Sequence, residues 1–259
     1  MNWLASLLLR SKREIIQAGS FLVLNSYFLP WLKRIPCLSL NCHACPLAVF
    51  GCPIGALQHF GSIHHFPFYT LGILGIVGSL VGRLQCAWFC PFGFLQELLY
   101  KAKVPKLSLG NNWSWIRYLV LVVLVGLLPF FTMESWFCKL CPAGALEAGI
   151  PLILIEPELR QQIGWLFGLK IAILISFLSW MLFTKRPFCR FVCPLGAIYS
   201  LFNRFSALRL KVDQAKCEKC NLCQQVCPMD IRIYENPDST QCIRCLECIE
   251  ACPLGAISY

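Results

Sequence analysis

Residues 217–228 read CEKCNLCQQVCP, and residues 242–253 read CIRCLECIEACP. Both stretches follow the spacing C-x2-C-x2-C-x3-C-P, so the same cysteine pattern occurs twice in a short tail. Three closely spaced thiolates can surround one corner of a cuboidal iron–sulfur cluster, but the fourth ligand must come from elsewhere in the chain. The two copies together therefore predict two [4Fe–4S] clusters that exchange their last cysteine.

This pairing is the signature of bacterial two-cluster ferredoxins. It assigns cluster one to Cys217, Cys220, Cys223 and Cys252, and cluster two to Cys227, Cys242, Cys245 and Cys248. Pro228 and Pro253 follow the last cysteines, and proline suits the first turn of a helix, so we expect a helix to begin beside each cluster. Zinc also binds C-x2-C pairs, but the third cysteine and the C-x3-C-P ending disfavour it.

The same Cys-Pro-x-Gly sequence occurs upstream of the tail, at positions 52, 90, 141 and 193. At two of these positions another cysteine precedes it, which gives Cys86-x3-Cys90-Pro and Cys189-x3-Cys193-Pro. Four thiolates are the ligand complement of one further [4Fe–4S] cluster. The alternative is a set of four buried structural thiols, but the repetition of the whole pattern argues against it.

The remainder of the chain is unusually apolar. Of its 259 residues, 57% are hydrophobic and only 14% are charged, and the mean hydropathy is +0.62. Soluble globular domains average about 45–50% apolar and about 25% charged residues. The composition therefore excludes an ordinary soluble domain and a disordered chain. Four stretches, 15–32, 66–84, 114–133 and 165–184, approach the length of about 20 apolar residues that crosses a bilayer.

Basic residues flank these stretches asymmetrically. Only Lys33, Arg34, Lys139 and Arg160 lie on one side, while the other side carries most of the lysines and arginines. The side rich in basic residues is expected to be cytoplasmic. Both termini, the 86–90 and 189–193 cysteines and the acidic tail are then predicted to lie inside. The overall charge of +10 thus reflects membrane topology, and no basic face indicates a nucleic-acid partner.

The spans and cysteine motifs repeat as two pairs of the same polarity. Such a repeat predicts a pseudo-two-fold axis along the membrane normal, which would bring matching cysteines face to face. The predicted fold is an all-α membrane protein with four transmembrane helices, residues 1–211, followed by a small α+β ferredoxin-like domain, residues 212–259. The expected location is the cytoplasmic (inner) membrane of the cell, as a multi-pass protein.

Six cysteines remain in the segments predicted to lie outside. Cys42, Cys45, Cys52, Cys138 and Cys141 are candidate ligands of at least one outer cluster, and Cys37 is the candidate most easily spared. Six thiolates cannot complete two all-cysteine cuboidal clusters. Disulfides, which form in oxidising compartments, and zinc are alternatives for this group.

Proton acceptors for quinone chemistry are sparse. Glu134 follows the third span and Glu97 follows the Cys90 motif, so either could serve near a membrane surface. The histidines, His43, His59, His64 and His65, all lie in the predicted outer region and none lies inside a span. This placement excludes a histidine-ligated haem within the bilayer for this chain alone.

The combination of four spans, two C-x3-C-P motifs at 86–91 and 189–194, and the double ferredoxin motif resembles the polytopic membrane ferredoxins of the NapH type and the membrane part of NosR-like proteins. The similarity covers residues 66–259 well and residues 1–65 only by layout. It implies an electron-transfer membrane protein, often the partner of an extracytoplasmic reductase or dehydrogenase. The NapH-type members are implicated in quinol oxidation.

We therefore expect an electron-transfer subunit of a membrane oxidoreductase complex rather than a self-contained catalyst. It would relay electrons between the quinone pool, or an extracytoplasmic redox subunit, and the clusters of the tail. A quinone-independent transmembrane conduit is one alternative, and a redox-sensing or assembly factor with regulatory clusters is another. The acidic tail suits docking to a basic face of a soluble partner.

Overall fold

The protein is described here by a computed structural model that covers residues 2–26, 32–33, 35–42 and 44–259. Five α-helices lie in the described residues of the first part of the chain. They are α1 (Asn2–Leu24), α2 (Pro53–Ser62), α3 (Phe68–Val81), α4 (Leu84–Trp88) and α5 (Pro91–Tyr100). The loop between α1 and α2 carries the first predicted outer cysteines.

A long apolar helical segment follows, built from several pieces. A 3-10 turn (Asn111–Trp115) leads into α6 (Ile116–Val120), a π-helical stretch (Leu121–Leu127) and α7 (Leu128–Thr132). Pro129 lies in the first turn of α7. A proline cannot donate a backbone hydrogen bond, and the helix widens into the π-helical stretch immediately before it.

The second half repeats this arrangement. Its helices are α8 (Trp136–Leu140), α9 (Pro142–Gly144), α10 (Ile150–Ile155), α11 (Trp165–Phe183), α12 (Pro187–Phe191) and α13 (Pro194–Phe202), with a π turn at Ala145–Gly149 and a 3-10 turn at Pro157–Gln162. Four of the helices, α2, α5, α9 and α13, begin with the proline of a Cys-Pro pair, and the cysteine is the residue that caps the helix. The four Cys-Pro-x-Gly sequences upstream of the tail therefore do mark helix starts.

The ferredoxin-like tail is compact and has little regular structure. It contains α14 (Leu222–Val226), α15 (Glu247–Ala251), and two short strands, β1 (Lys211–Val212) and β2 (Ile257–Ser258). The strands are antiparallel, with Lys211 opposite Ser258 and Val212 opposite Ile257, so they join the two ends of the tail. Pro228 and Pro253 begin turns rather than helices. The prediction that a helix begins after the last cysteine of each motif is therefore wrong.

Two helices in the described part of the chain are long and apolar enough to cross a membrane, Asn112–Thr132 and Trp165–Phe183. They coincide with the third and fourth predicted spans. The helix α3, within the second predicted span, has 14 residues and is about 21 Å long at 1.5 Å per residue. That is shorter than the hydrocarbon core of about 30 Å. The first predicted span is only partly covered by α1, and residues 27–31 lie outside the described residues.

One buried core connects the helical part with the tail. It contains Cys52, Cys90 and Cys193 together with Cys242 and Ile257. Helix α1 packs against α15 of the tail, and Arg13 of α1 forms a buried ion pair with Glu247 of α15 at 2.7 Å. The tail is thus seated on the helical part rather than tethered beside it.

Candidate iron–sulfur sites

The structure brings four cysteines from the two repeats together, although just over 100 residues separate the motifs. Cys86 lies in α4 and Cys90 caps α5, while Cys189 lies in α12 and Cys193 caps α13. All four are buried. The pKa values of Cys90 and Cys193 are both raised. Burial is the largest cause, and the neighbouring thiols of Cys189 and Cys86 add to it. We call these four residues the inner quartet.

Each capping thiol of the inner quartet accepts a hydrogen bond from the helix that it starts. The N–H of Gly93 donates to Cys90 Sγ at 3.4 Å, and the N–H of Gly196 donates to Cys193 Sγ at 3.3 Å. Backbone N–H donors at a helix start favour negative charge, and hydrogen bonds to sulfur raise the reduction potential of an iron–sulfur cluster. The donor set and its hydrogen bonds therefore fit a [4Fe–4S] cluster.

Two arginines flank the inner quartet, and sequence reasoning missed them. Arg83 Nη2 donates to the carbonyl oxygen of Cys189 at 3.2 Å, and Arg186 Nη1 donates to that of Cys86 at 2.8 Å. Each arginine thus reaches across to the other repeat. The signal was present in the sequence, because an arginine stands three residues before the first cysteine of both C-x3-C motifs.

Glycine makes room for these arginines. A Cβ at Gly196 would lie 2.8 Å from Arg83 Nη2, and a Cβ at Gly93 would lie 3.2 Å from Arg186 Nη1. These are the glycines of the Cys-Pro-x-Gly sequences that begin at Cys90 and Cys193. They allow a guanidinium to approach the helix start beside the thiols.

A second quartet forms from the cysteines predicted to lie outside. The Cys52 thiol is buried and interacts electrostatically with the thiols of Cys138, Cys141 and Cys42. Burial raises the pKa of Cys138 to about 11 and that of Cys141 to about 12. A Cβ at Gly144 would lie 3.4 Å from Cys42 Sγ, so the loop before α2 also packs against the helix start at α9. We call Cys42, Cys52, Cys138 and Cys141 the outer quartet.

Cys37 and Cys45 have other surroundings. Cys37 Sγ lies 3.3 Å from Ser39 Oγ, and Cys45 Sγ donates to Asn25 Oδ1 at 3.8 Å. Cys45 packs with Ala48 and Ala148 in a small hydrophobic group separate from the main core. Both cysteines are buried near the outer quartet but have local polar partners of their own.

In the tail, the eight ferredoxin cysteines line two small cavities. One is lined by Cys217, Cys220, Cys223 and Cys252, and the other by Cys223, Cys227, Cys242, Cys245 and Cys248. Each cavity therefore contains one complete set expected from the motif, with Cys223 at the wall between them. Cys220, in the first cavity, is exposed, whereas Cys242, Cys245 and Cys248 of the second are buried.

Among the residues that the structure describes, no group of three or more His, Cys, Asp or Glu side chains could hold a single metal ion. A [4Fe–4S] cluster does not require its ligands to converge on one point, because each thiolate binds a different iron. The two quartets and the two tail cavities supply four cysteines apiece, so their donor sets suit such clusters.

Both carboxylates considered for proton transfer are ion-paired. Glu97 is buried, and its Oε2 lies 2.7 Å from Arg13 Nη2. Its Oε1 lies 2.8 Å from Arg186 Nη2. Glu134 is exposed and pairs with Lys139 at 2.7 Å. The role considered for Glu97 is therefore better described as charge compensation.

A different carboxylate lies beside the outer quartet. Glu147 Oε2 accepts a hydrogen bond from the backbone N–H of Cys42 at 2.6 Å. Burial raises the pKa of Glu147 to about 7, and the hydrogen bond from Cys42 opposes that rise. His59, His64 and His65 lie in and just after α2, while His43 lies outside the described residues.

Comparison with known protein families supports the iron–sulfur interpretation. A 4Fe-4S binding domain matches three segments, residues 63–110, 112–150 and 165–213, which together make up more than half of the chain. A 4Fe-4S dicluster domain matches residues 209–253. The chain belongs to the ferredoxin-type 4Fe-4S family of NapH, MauN and NosR.

Individual relatives agree with this family. An uncharacterised protein of Methanocaldococcus jannaschii is 34% identical over 223 residues, which cover 80% of this chain and 85% of the relative. The methylamine utilization ferredoxin-type protein MauN of Methylobacillus flagellatus is 32% identical, over 61% of this chain and 53% of MauN. The ferredoxin-type protein NapH of Haemophilus influenzae is 28% identical, over 59% of this chain and 49% of NapH. No solved structure matches the chain.

As a member of the NapH, MauN and NosR family, the chain is an iron–sulfur protein of electron transfer that carries [4Fe–4S] clusters and operates with redox partners. Its two long apolar helices and its NapH and NosR relatives indicate membrane association. The 4Fe-4S binding domain matches segments from both repeats, in agreement with the internal repeat of the fold.

Proposed function

We propose that the protein relays electrons across the membrane through four [4Fe–4S] clusters. The proposed ligands are the outer quartet, the inner quartet, the cluster two set (Cys227, Cys242, Cys245 and Cys248) and the cluster one set (Cys217, Cys220, Cys223 and Cys252). When bound, the clusters accept and release single electrons. The protein holds them in place and sets their potentials through burial, hydrogen bonds and nearby charges.

The observation that carries this proposal is the contact between the inner quartet and the tail. Trp88, which lies between Cys86 and Cys90, donates its indole Nε1–H to the carbonyl oxygen of Arg244 at 3.3 Å. Arg244 lies between Cys242 and Cys245. The ligand loops of the inner quartet and of cluster two are thus in direct contact, which suits transfer between neighbouring clusters.

The contacts also support an order of clusters. Cluster two is adjacent to the inner quartet, whereas cluster one includes the exposed Cys220, which a soluble partner can approach. At the other end, Tyr199 of α13 donates its hydroxyl to the carbonyl oxygen of Leu38 at 3.2 Å, which joins the outer loop to the helix that begins at Cys193. We infer the sequence outer quartet, inner quartet, cluster two, cluster one and then a soluble partner.

The proposed topology has four membrane-crossing segments with both termini in the cytoplasm. Its basis is the distribution of lysine and arginine. In α11, the helix that connects the two sites, Lys170 lies near Gly144, which is adjacent to Cys42 of the outer quartet, and Phe183 lies just before the Cys189 motif. The separation of Lys170 and Phe183 along the helix axis is about 20 Å. Buried clusters at these levels would divide the crossing into shorter electron-transfer steps.

Electron exchange with a membrane quinone is the finer part of the proposal. An apolar cavity of about 360 Å³ lies between α1, α5 and the 145–151 segment, and Phe21, Phe94, Leu98 and Leu146 contribute to its lining. Small-molecule sites typically have volumes of about 300–1,000 Å³. Asn25 and Glu147 provide polar groups to the lining, and Glu147 contacts the backbone of Cys42 in the outer quartet. These features support a quinone site between the two quartets.

Two measurements test the proposed function. Anaerobically purified protein is expected to contain about 16 irons per chain, with matching acid-labile sulfide, if four [4Fe–4S] clusters are present. About eight would restrict the clusters to the tail and overturn the transmembrane relay. A short-chain quinol should then reduce the clusters, as followed by electron paramagnetic resonance (EPR).

The Leu146→Trp variant, which narrows the cavity, should lower the rate of this reduction without loss of iron. Reduction by an extracytoplasmic redox subunit but not by quinol would favour the quinone-independent conduit. Clusters that accept electrons but pass none to any soluble acceptor would favour a redox sensor or an assembly factor.

A further inference from the structure

Arg83 contacts the backbone of two proposed cluster sites with one guanidinium group. Nη2 donates to the carbonyl oxygen of Cys189 in the inner quartet at 3.2 Å. Nη1 donates to the carbonyl oxygen of Thr240 at 2.9 Å and to that of Gln241 at 3.4 Å, immediately before Cys242 of cluster two. Arg83 is fully buried, so its charge acts in a region of low dielectric constant, where electrostatic interactions are strong.

The charge of Arg83 has no carboxylate partner among the described residues. Its guanidinium donates to backbone carbonyls and is hydrogen bonded to the Cys86 thiol of the inner quartet. Its counterpart in the other repeat differs. Arg186 also contacts the inner quartet, but it forms a buried ion pair with Glu97 at 2.8 Å. The two repeats are therefore similar in geometry around the quartet and different in charge balance.

We propose that Arg83 is a shared counter-charge for the inner-quartet cluster and cluster two. This inference rests on the ligand sets proposed above. A [4Fe–4S] cluster held by four thiolates is an anion, and its reduction adds another negative charge. A buried positive charge next to both clusters stabilises the reduced state of each. Arg83 thereby raises both reduction potentials together and keeps transfer between the two clusters close to balanced.

Arg186 has a smaller net effect on the inner cluster, because Glu97 offsets its charge. Cluster one is not in contact with Arg83, so its potential does not depend on this residue. The inference therefore predicts a specific pattern, in which one substitution changes the potentials of the inner cluster and cluster two and leaves that of cluster one unchanged. A purely structural role for Arg83 would not give this pattern.

The experiment uses the full-length protein, purified anaerobically, with its cluster potentials measured by EPR-monitored redox titration. The variants are Arg83→Gln, which removes the charge, and Arg83→Lys, which keeps it. The matched control is Arg204→Gln, which removes a charge from an exposed arginine. Iron is counted for every preparation.

In Arg83→Gln, the inner cluster and cluster two should both become at least tenfold harder to reduce, which corresponds to a shift of about −59 mV for a one-electron couple. Cluster one should stay unchanged, and Arg83→Lys should lie close to the wild type. Fully loaded Arg83→Gln with unchanged potentials, or with only one of the two potentials shifted, would overturn the shared role. An equal shift in Arg83→Lys would show that charge is not the cause.

A second variant covers the case in which Arg83→Gln does not assemble. In Gly196→Ala the new methyl group would lie 2.8 Å from Arg83 Nη2 and must displace it, so both potentials should again fall. Gly93→Ala crowds Arg186 instead. Arg186 also interacts with Cys245 of cluster two, but Glu97 offsets its charge, so Gly93→Ala should shift cluster two less than Gly196→Ala does. A larger shift of cluster two in Gly93→Ala than in Gly196→Ala would contradict the inference. The iron content separates the two proposals. Wild-type protein that lacks the inner cluster would refute the proposed relay, whereas full loading with unshifted variants would refute only the role of Arg83.

Discussion

Gln96 is hydrogen bonded to a cysteine of the opposite repeat, with its Nε2 donating to Cys189 Sγ at 3.0 Å. Its Oε1 accepts the N–H of Phe188 at 3.1 Å, which fixes the orientation of the amide. Gln58 has the same pair of contacts at the outer quartet, since Nε2 donates to Cys138 Sγ at 3.2 Å and Oε1 accepts the N–H of Phe137 at 2.9 Å. The two quartets therefore share a hydrogen-bonded support as well as their cysteines.

Replacement of Gln96 by leucine should lower the potential of the inner cluster by about 60 mV. Hydrogen bonds to cluster sulfurs raise the potential, and a hydrogen bond to a charged group contributes about 1.5–3 kcal/mol. A loss of about 1.4 kcal/mol corresponds to about 59 mV for one electron. EPR-monitored titration measures the shift. Gln58→Leu is the matched control and should lower the potential of the outer cluster only, and an unchanged inner potential in Gln96→Leu would contradict the role given to this amide.

Substitution of Cys90 and Cys193 by serine should remove the inner cluster alone. The double variant should lose about four irons per chain and the corresponding EPR signal, and the tail clusters should persist because their cysteines form separate cavities. Iron analysis and EPR of the anaerobic protein check this outcome. A variant that keeps its full iron content would show that the inner quartet does not hold a cluster.

The outer quartet can be tested with three single substitutions. Cys42→Ser should lose the outer cluster, since Cys42 interacts with Cys52, Cys138 and Cys141. Cys37→Ser and Cys45→Ser should keep it, because these thiols have Ser39 and Asn25 as their partners. Iron content and the outer EPR signal distinguish the variants. Loss of the cluster in Cys45→Ser with retention in Cys42→Ser would reverse the ligand assignment.

Which cysteines lie together in the tail and in the inner quartet could be predicted, because each group follows a repeated local spacing. The outer set could not, since Cys42 and Cys45 stand in one irregular loop and sequence spacing does not show which thiol faces Cys138.

The membrane helices could likewise be predicted only in part from the sequence. The third and fourth spans are continuous apolar helices and were predicted, whereas α3 is only 14 residues long although the surrounding sequence is apolar.

The buried charges were the main feature that the sequence analysis missed. Arg13, Arg83 and Arg186 occur at places where flanking basic residues are expected for reasons of topology, so their burial was not anticipated. Glu97 was considered as a proton acceptor because it follows the Cys90 motif near a membrane surface, and the alternative was an ordinary solvated glutamate. Only the packing of α1 and α12 against α5 shows that its carboxylate compensates two arginines.

The Glu97→Gln variant should destabilise the protein by about 3–5 kcal/mol, which is the typical cost of removing one partner from a buried ion pair. Among the described residues, the substitution leaves Arg186 without its carboxylate partner and leaves Arg13 paired with Glu247 only, in a region where all these side chains are buried. Chemical denaturation of the protein in detergent, followed by loss of cluster absorbance, measures the change. Glu134→Gln is the control, since it disrupts an exposed ion pair with Lys139 that is worth at most about 1 kcal/mol. Equal stability of the two variants would show that Glu97 does not hold α1, α5 and α12 together through charge compensation.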